Sequence, residues 1–337
     1  MVRKGLLLCW LCLPVGAQLL PQFGQERVGI STVTALKLLG SPRSAALVNA
    51  TVAMPDGVQV WLNPALAAEL APDYAFGVFS QRLVADIWYH ALSLGGHLWR
   101  QGTWVLGVAG MVVPPIEETT EFRPYGTGRQ IRFGHWNAGL TYGHRFTEQF
   151  AAGVSLRYVR EQWSEARLEG LVWDAGTLYW TGIGSVRLAV SVSHFGLPLR
   201  ASGSVATFRA GDFLAGQRSD FQGFAPPTVF RIGVAGEVLQ SERQRWSWMA
   251  AVEHPSDQAE SYALASEYAV RFSAAFPAEL MLRAGLRAPA AERWALGVGC
   301  RIPVAPFLLQ VDYAFSLLTP AGGLHRIGCS VEPLVLP

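Results

Sequence analysis

Residues 307–316 read Phe-Leu-Leu-Gln-Val-Asp-Tyr-Ala-Phe-Ser, and their alternation decides the fold. Phe307, Leu309, Val311, Tyr313 and Phe315 fall on one face of an extended chain. Leu308, Gln310, Asp312, Ala314 and Ser316 fall on the other. Successive side chains of a strand point to opposite faces. One face here suits lipid; the other suits a wet or plugged lumen.

The same period returns along most of the chain. Phe150, Ala152, Val154, Leu156 and Tyr158 alternate with Ala151, Gly153, Ser155 and Arg157; Phe230, Ile232 and Val234 alternate with Arg231, Gly233 and Ala235. Leu280, Leu282 and Ala284 alternate with Met281, Arg283 and Gly285, and Trp294, Leu296, Val298 and Cys300 with Ala295, Gly297, Gly299 and Arg301. A soluble β-sandwich alternates too, so composition and loop lengths must decide between them. Half of the 337 residues are apolar, yet only 15% are charged, where roughly 25% is usual for soluble proteins. Beyond the N-terminus no run approaches the roughly 20 apolar residues of a membrane helix. A chain rich in Gly (35) and Trp (12), poor in charge and without a helical span, has the composition of a transmembrane barrel.

Strands are expected near 73–82, 86–97, 103–112, 131–144, 149–163, 170–180, 183–195, 228–239, 246–254, 262–274, 278–287, 293–302, 306–316 and 324–333, about fourteen, an even number as single-chain bacterial barrels have. Connections after even-numbered strands are tight, near 145–148, 181–182, 275–277 and 303–305. The two longest, about 113–130 and 196–227, both follow odd-numbered strands. Short periplasmic turns opposite longer external loops are the asymmetry of outer-membrane barrels, and a sandwich has no reason to keep that parity. Trp88, Trp104, Trp136, Trp163, Trp180 and Trp246 fall near strand ends, as aromatic girdles do. The expected fold is therefore all-β, an antiparallel transmembrane barrel over 73–333 in the bacterial outer membrane.

Before the barrel, Arg3 and Lys4 followed by the apolar run 5–15 and Val15-Gly16-Ala17 read as a secretory signal over 1–17, cut after Ala17. Cys300 and Cys329 then remain, on strands placed two apart; roughly 9.5 Å separates such strands, beyond disulfide reach. Residues 18–72 do not alternate and are apolar enough to pack, which suggests a plug inside the barrel. Ser31–Leu39 suits a short helix, Pro55-Asp56-Gly57 a turn, and Trp61, Asn63, Pro64 and Ala65 form the most specific short motif, with Asn63 suited to cap a helix begun by Pro64.

A resemblance to a known family rests on an ordered series of short matches. These run from Ser41-Pro42-Arg43 through Asn63-Pro64-Ala65-Leu66-Ala67 and continue with 174–179 (Asp-Ala-Gly-Thr-Leu-Tyr), Ser193-His194-Phe195-Gly196 and Pro226-Pro227-Thr228 running into Val229–Gly233. His254-Pro255-Ser256-Asp257, Leu282-Arg283-Ala284-Gly285 and His325-Arg326 follow. In these the chain resembles the PorV/PorQ family of fourteen-stranded barrels, related to FadL-type fatty-acid transporters. That resemblance implies a part in or beside the type IX secretion system, with exported cargo or other secretion proteins as partners.

Two site classes follow from the residues. Pro114, Pro115, Phe122, Tyr125, Phe213, Phe221 and Phe224 give the two long loops a rigid, aromatic character suited to recognition of a partner. Arg157, Arg231, Glu237, Glu253, Glu267, Arg271, Arg283, Arg301, Asp312 and Arg326 fall on the lumen face, where buried charges must find partners. The alternative function is a transporter of hydrophobic small molecules. It requires an apolar pocket beside the plug or a gap in the wall, such as a kink at Gly95-Gly96 or a bulge at Gly182-Ile183-Gly184. A net charge of +2 gives no reason to expect nucleic acid, and the seven scattered His residues offer no metal spacing. No cofactor and no enzymatic motif is read. Lipid, a partner protein and an apolar ligand are the expected company.

Overall fold

A computed structural model describes residues 28–38, 40–70, 73–97, 102–207, 216–272 and 278–334; the signal segment, Phe213 and the 275–277 turn lie outside them. Fourteen strands close a barrel. They are β1 (Tyr74–Arg82), β2 (Trp88–His97), β3 (Thr103–Val112), β4 (Phe133–Arg145), β5 (Phe150–Trp163), β6 (Ala166–Trp180), β7 (Arg187–Phe195), β8 (Val229–Gln240), β9 (Gln244–Pro255), β10 (Ser261–Arg271), β11 (Glu279–Ala288), β12 (Glu292–Val304), β13 (Phe307–Leu318) and β14 (Gly322–Pro333). Each pairs antiparallel with its sequence neighbours, and β14 closes on β1 from Phe76↔Val331 to Arg82↔His325.

The alternation sorts side chains as a lipid-embedded wall requires. Val78, Leu94, Leu106, Leu140, Val154, Leu156, Leu264, Leu282, Leu296, Val311 and Ile327 are exposed on the outside, while Asp312, Ala314 and Ser316 of β13 are buried inside. Cys300 and Cys329 both pair with Val311, one on each side of it, so a whole strand separates them. Trp88, Trp136, Trp163 and Trp246 are exposed near strand ends. Trp180 departs from the girdle: its ring lies 4.7 Å from the Arg187 guanidinium, a buried group of the lumen. Its even position in β6 turns it inward, a parity that proximity to a strand end does not reveal.

Two strand limits differ from expectation by four residues. β6 begins at Ala166 rather than 170, because the β5–β6 hairpin turns on Ser164-Glu165 alone, with Ser164 at φ 42°. The stretch 164–169 reads as loop, but Ala166–Glu169 form paired strand, with the Arg167 and Glu169 side chains exposed. β7 begins at Arg187, not 183, since Gly182 and Gly184 take positive φ in the turn 181–186. The parity of long loops survives at 113–132 and 196–228 only; the other connections of that end are as short as their counterparts. We call this the long-loop end, external by the usual asymmetry.

The described residues 31–38 and 40–70 lie within the barrel. The segment starts at the long-loop end, where the Thr32 N–H donates to the Ala225 carbonyl at 3.1 Å, and finishes at the other, where Arg145 bonds Glu69 at 2.5 Å. In between, α1 (Pro42–Ala46) packs on β11–β14, a 3-10 turn at Thr51–Ala53 on β7–β9, and another at Pro64–Glu69 on β3–β6. Ser31–Leu39 contributes a 3-10 turn at Thr34–Leu38. The wall makes room with glycine. A Cβ on Gly153 would stand 2.4 Å from Pro64, and one on Gly176 2.0 Å from the Asn63 amide oxygen.

Candidate functional site: the plug and an apolar groove

Asn63, fully buried, ties three elements together. Its Oδ1 accepts from the Ala65 N–H at 3.0 Å, capping the turn that Pro64 opens, while Nδ2 donates to the carbonyls of Val52 (2.9 Å) and Thr177 (3.1 Å). Ser191 adds a bond from its hydroxyl to the Leu62 carbonyl at 2.9 Å. Trp61 lies beneath Arg157, whose guanidinium stands 4.9 Å from the ring.

The lumen charges fall into separate clusters. Glu267 is the hub of the largest: Arg43 of the plug donates to it at 2.7 and 2.9 Å, and Arg283 at 2.7 Å. Arg283 also binds Asp312 at 2.5 Å, and Arg301 reaches Gln310 at 2.7 Å. Towards the long-loop end Arg231 and Arg287 share Glu253 at 2.8 and 2.5 Å, and Arg326 binds Glu292 at 2.8 Å. Glu237 pairs with Arg187, a partner that sequence reading did not single out. Arg271 lies on the inward register but is exposed at the end of β10, so it stands at the rim instead of in the lumen.

Arg43 was legible only as part of a motif. Nothing in the sequence says that it meets Glu267, 224 residues away. Asp174 was also missed as a site residue. Its carboxylate accepts from Arg157 Nε at 2.7 Å and from the His194 backbone N–H at 2.7 Å, fixing His194 at φ 58° where β7 ends.

There the wall changes character. β7 stops opposite Trp173, and Ala166–Val172 of β6 continue without it; on that side, among the described residues, their ladder partners are Ser202-Gly203. The described residues of the 196–228 connection lie beside this gap, with a short ladder of Leu199-Arg200 against Gly223-Phe224. Leu199 turns inward and is buried against Gly170. Trp163, Leu168, Phe221, Phe224 and Ile30 line an apolar groove of about 410 Å³ at this end. Leu168 also belongs to the buried cluster of Val33, Leu36, Trp61, Phe79, Val172 and Leu199, so groove and interior are contiguous. Phe221 and Phe224 thus line a groove. Pro114, Pro115, Phe122 and Tyr125 point into solvent, the last two at 91% and 99% exposure.

No family model matches this sequence, nor does any curated protein. Solved structures do match. The chain is similar to the CymD monoaromatic hydrocarbon channel at 12% identity and a TM-score of 0.58, over 88% of this chain and 98% of that one. It is similar to the toluene transporter TodX of Pseudomonas putida at 14% and 0.55, over 87% and 96%. A FadL homologue of Pseudomonas aeruginosa follows at 9% and 0.52, over 87% and 98%. The fold is that of a FadL-type outer-membrane barrel.

The expected resemblance to the PorV/PorQ family finds no match in these comparisons, whereas the relation to FadL-type barrels holds at the level of fold. In this barrel neither candidate gap opens. Gly95 and Gly96 pair without interruption to both Ala75-Tyr74 and Val105-Trp104, and Gly182–Gly184 form a turn at the short-turn end. The strand wall is interrupted between β6 and β8, above Phe195.

Proposed function

We propose that the protein is a passive channel admitting hydrophobic small molecules through the outer membrane, with no enzymatic step. The observation that carries this reading is the continuity of the apolar groove with the apolar interior through Leu168. An apolar solute leaving water gains about 25 cal/mol per Å² of surface buried. A lined groove open to the exterior therefore concentrates it at the mouth. From there the way inward passes Val33 and Leu36 of the plug, which the solute must displace. Similar barrels described as hydrocarbon channels and transporters support the same substrate class.

Crystals of the protein soaked with bromobenzene provide the test. Bromine is expected in the groove beside Leu168, Phe221 and Phe224. Bromine confined to the lipid face or to the charge clusters of the lumen would contradict the reading.

One observation favours a second reading, a partner protein bound outside: the nearly bare Phe122 and Tyr125 on the 113–132 loop. Exposed aromatics are typical interface anchors. The expected result is that exported proteins sharing a C-terminal domain co-purify with the wild type and are lost with Phe122→Ala/Tyr125→Ala. A wild-type barrel that brings down none of them removes this reading.

A further inference from the structure

The lumen is not apolar throughout. Along β8–β14 lie two cavities, each bordered by charged side chains, that share no lining residue. The upper, about 780 Å³, lies at the long-loop end and is bordered by Lys37, Arg231, Glu253, Asp257, Arg287 and Glu292. The lower, about 260 Å³, lies toward the short-turn end and is bordered by Asp56, Gln59, Arg245, Arg301, Gln310 and Glu332. The partition between them is thin. Gly40, Ala45, Val48 and Asn49 border the upper cavity, and Ser41, Pro42 and Arg43 the lower. These residues belong to α1 and its flanks, so a helix of five residues separates the two spaces.

We propose that α1 is the gate of a second route, which passes small hydrophilic solutes along the β8–β14 side of the barrel. The charges bordering both cavities are of both signs, and the acidic groups of the upper one are bound: Lys37 to Asp257 at 2.8 Å, Arg231 and Arg287 to Glu253. Such a lining offers hydrogen bonds without a strong field of either sign, which suits neutral and zwitterionic solutes over ions of one charge. In the closed state all five residues of α1 are buried against β11–β14, and a small set of polar bonds holds them there. Arg43 clasps Glu267 and the Pro55 carbonyl, Ser41 bonds Asp56, and Ala46 sits over Gly297. Of the other attachments of the plug, those at Asn63 on β6 and Ser191 on β7 lie outside this route, and Lys37–Asp257 borders the upper cavity without belonging to α1. Displacement of α1 alone joins the two cavities while the Asn63–Pro64 half of the plug stays seated. The route is independent of the hydrocarbon path proposed above, which lies on the β1–β6 side.

The test is conductance of the full barrel in planar bilayers with KCl, and arabinose efflux from proteoliposomes. Wild-type protein is expected to show rare, short openings. Arg43→Ala removes the clasp but leaves Glu267 paired with Arg283, and is expected to raise the open probability and arabinose efflux about tenfold. Arg43→Met keeps the side-chain volume and separates loss of charge from loss of packing; it is expected to behave likewise. Toluene uptake by cells should stay as in the wild type for both. Retention of the heat-modifiable gel shift establishes that each variant is folded. Folded Arg43 variants with wild-type conductance and efflux would overturn the proposal. So would a single large conductance with toluene uptake altered, which would mean that the whole plug leaves.

Discussion

Glu267→Ala is expected to destabilise the barrel more than any other single change in the lumen. The carboxylate is completely buried and accepts from Arg43 and Arg283, with Arg245 3.5 Å away. Removing it does not remove the cations. Arg283 keeps Asp312 and Arg43 keeps a long 3.5 Å contact to Asp56, so both guanidiniums stay buried with part of their charge uncompensated. Breaking a buried pair in this way costs about 3–5 kcal/mol, far above the about 0–1 kcal/mol of an exposed bridge such as Arg82–Asp86. The expected readout is a lower urea midpoint for the folded, heat-modifiable form, with Arg82→Ala unchanged as the control. Because Arg43 is the plug's partner in the cluster, protease access to the plug should rise before the barrel itself unfolds. An unaltered midpoint would mean that the cluster contributes nothing net.

How far the sequence reveals this arrangement depends on the physics that each part obeys. The wall is written in a local code: period two in residues 307–316 fixes both the strand and its lipid face, and neighbouring strands follow in order. The β5–β6 hairpin escaped that code. On its second arm, expected only from residue 170, Arg167 and Glu169 carry the alternation of a strand but the polarity of a loop. The plug was recognisable by its failure to alternate, yet its attachments were not, since Arg43–Glu267 and Asn63–Thr177 join residues far apart in the chain. One signal did point to it. Inward glycines at Gly153 and Gly176 have no role in a water-filled lumen but are required where the plug backbone presses on the wall. The groove was illegible for a different reason. Trp163, Leu168 and Phe221 come from a hairpin and a loop that sequence reading treated as separate, so that Phe221 and Phe224 looked like an outward surface.

The second large effect concerns transport. Leu168 is the residue common to groove and apolar interior, and it is buried. Leu168→Glu places a carboxylate there with no cation among the groove's lining residues, and the cost of desolvating it falls on every apolar solute that enters. Leu168 pairs across the hairpin with Glu161, whose buried carboxylate adds to the repulsion, so the variant is compared at equal folded amounts. Arg43 variants should leave this path unchanged. The comparison therefore separates the apolar route from the polar one.

The most direct test is uptake of radiolabelled toluene by cells whose outer membrane is otherwise poorly permeable to it, expressing wild type or Leu168→Glu at equal folded amounts. Wild-type protein is expected to accelerate uptake, and Leu168→Glu to reduce that increment about tenfold, the effect of roughly 1.4 kcal/mol at the entry. Equal uptake by the two proteins, or a wild-type rate no higher than that of cells without the barrel, would contradict an apolar channel through the groove.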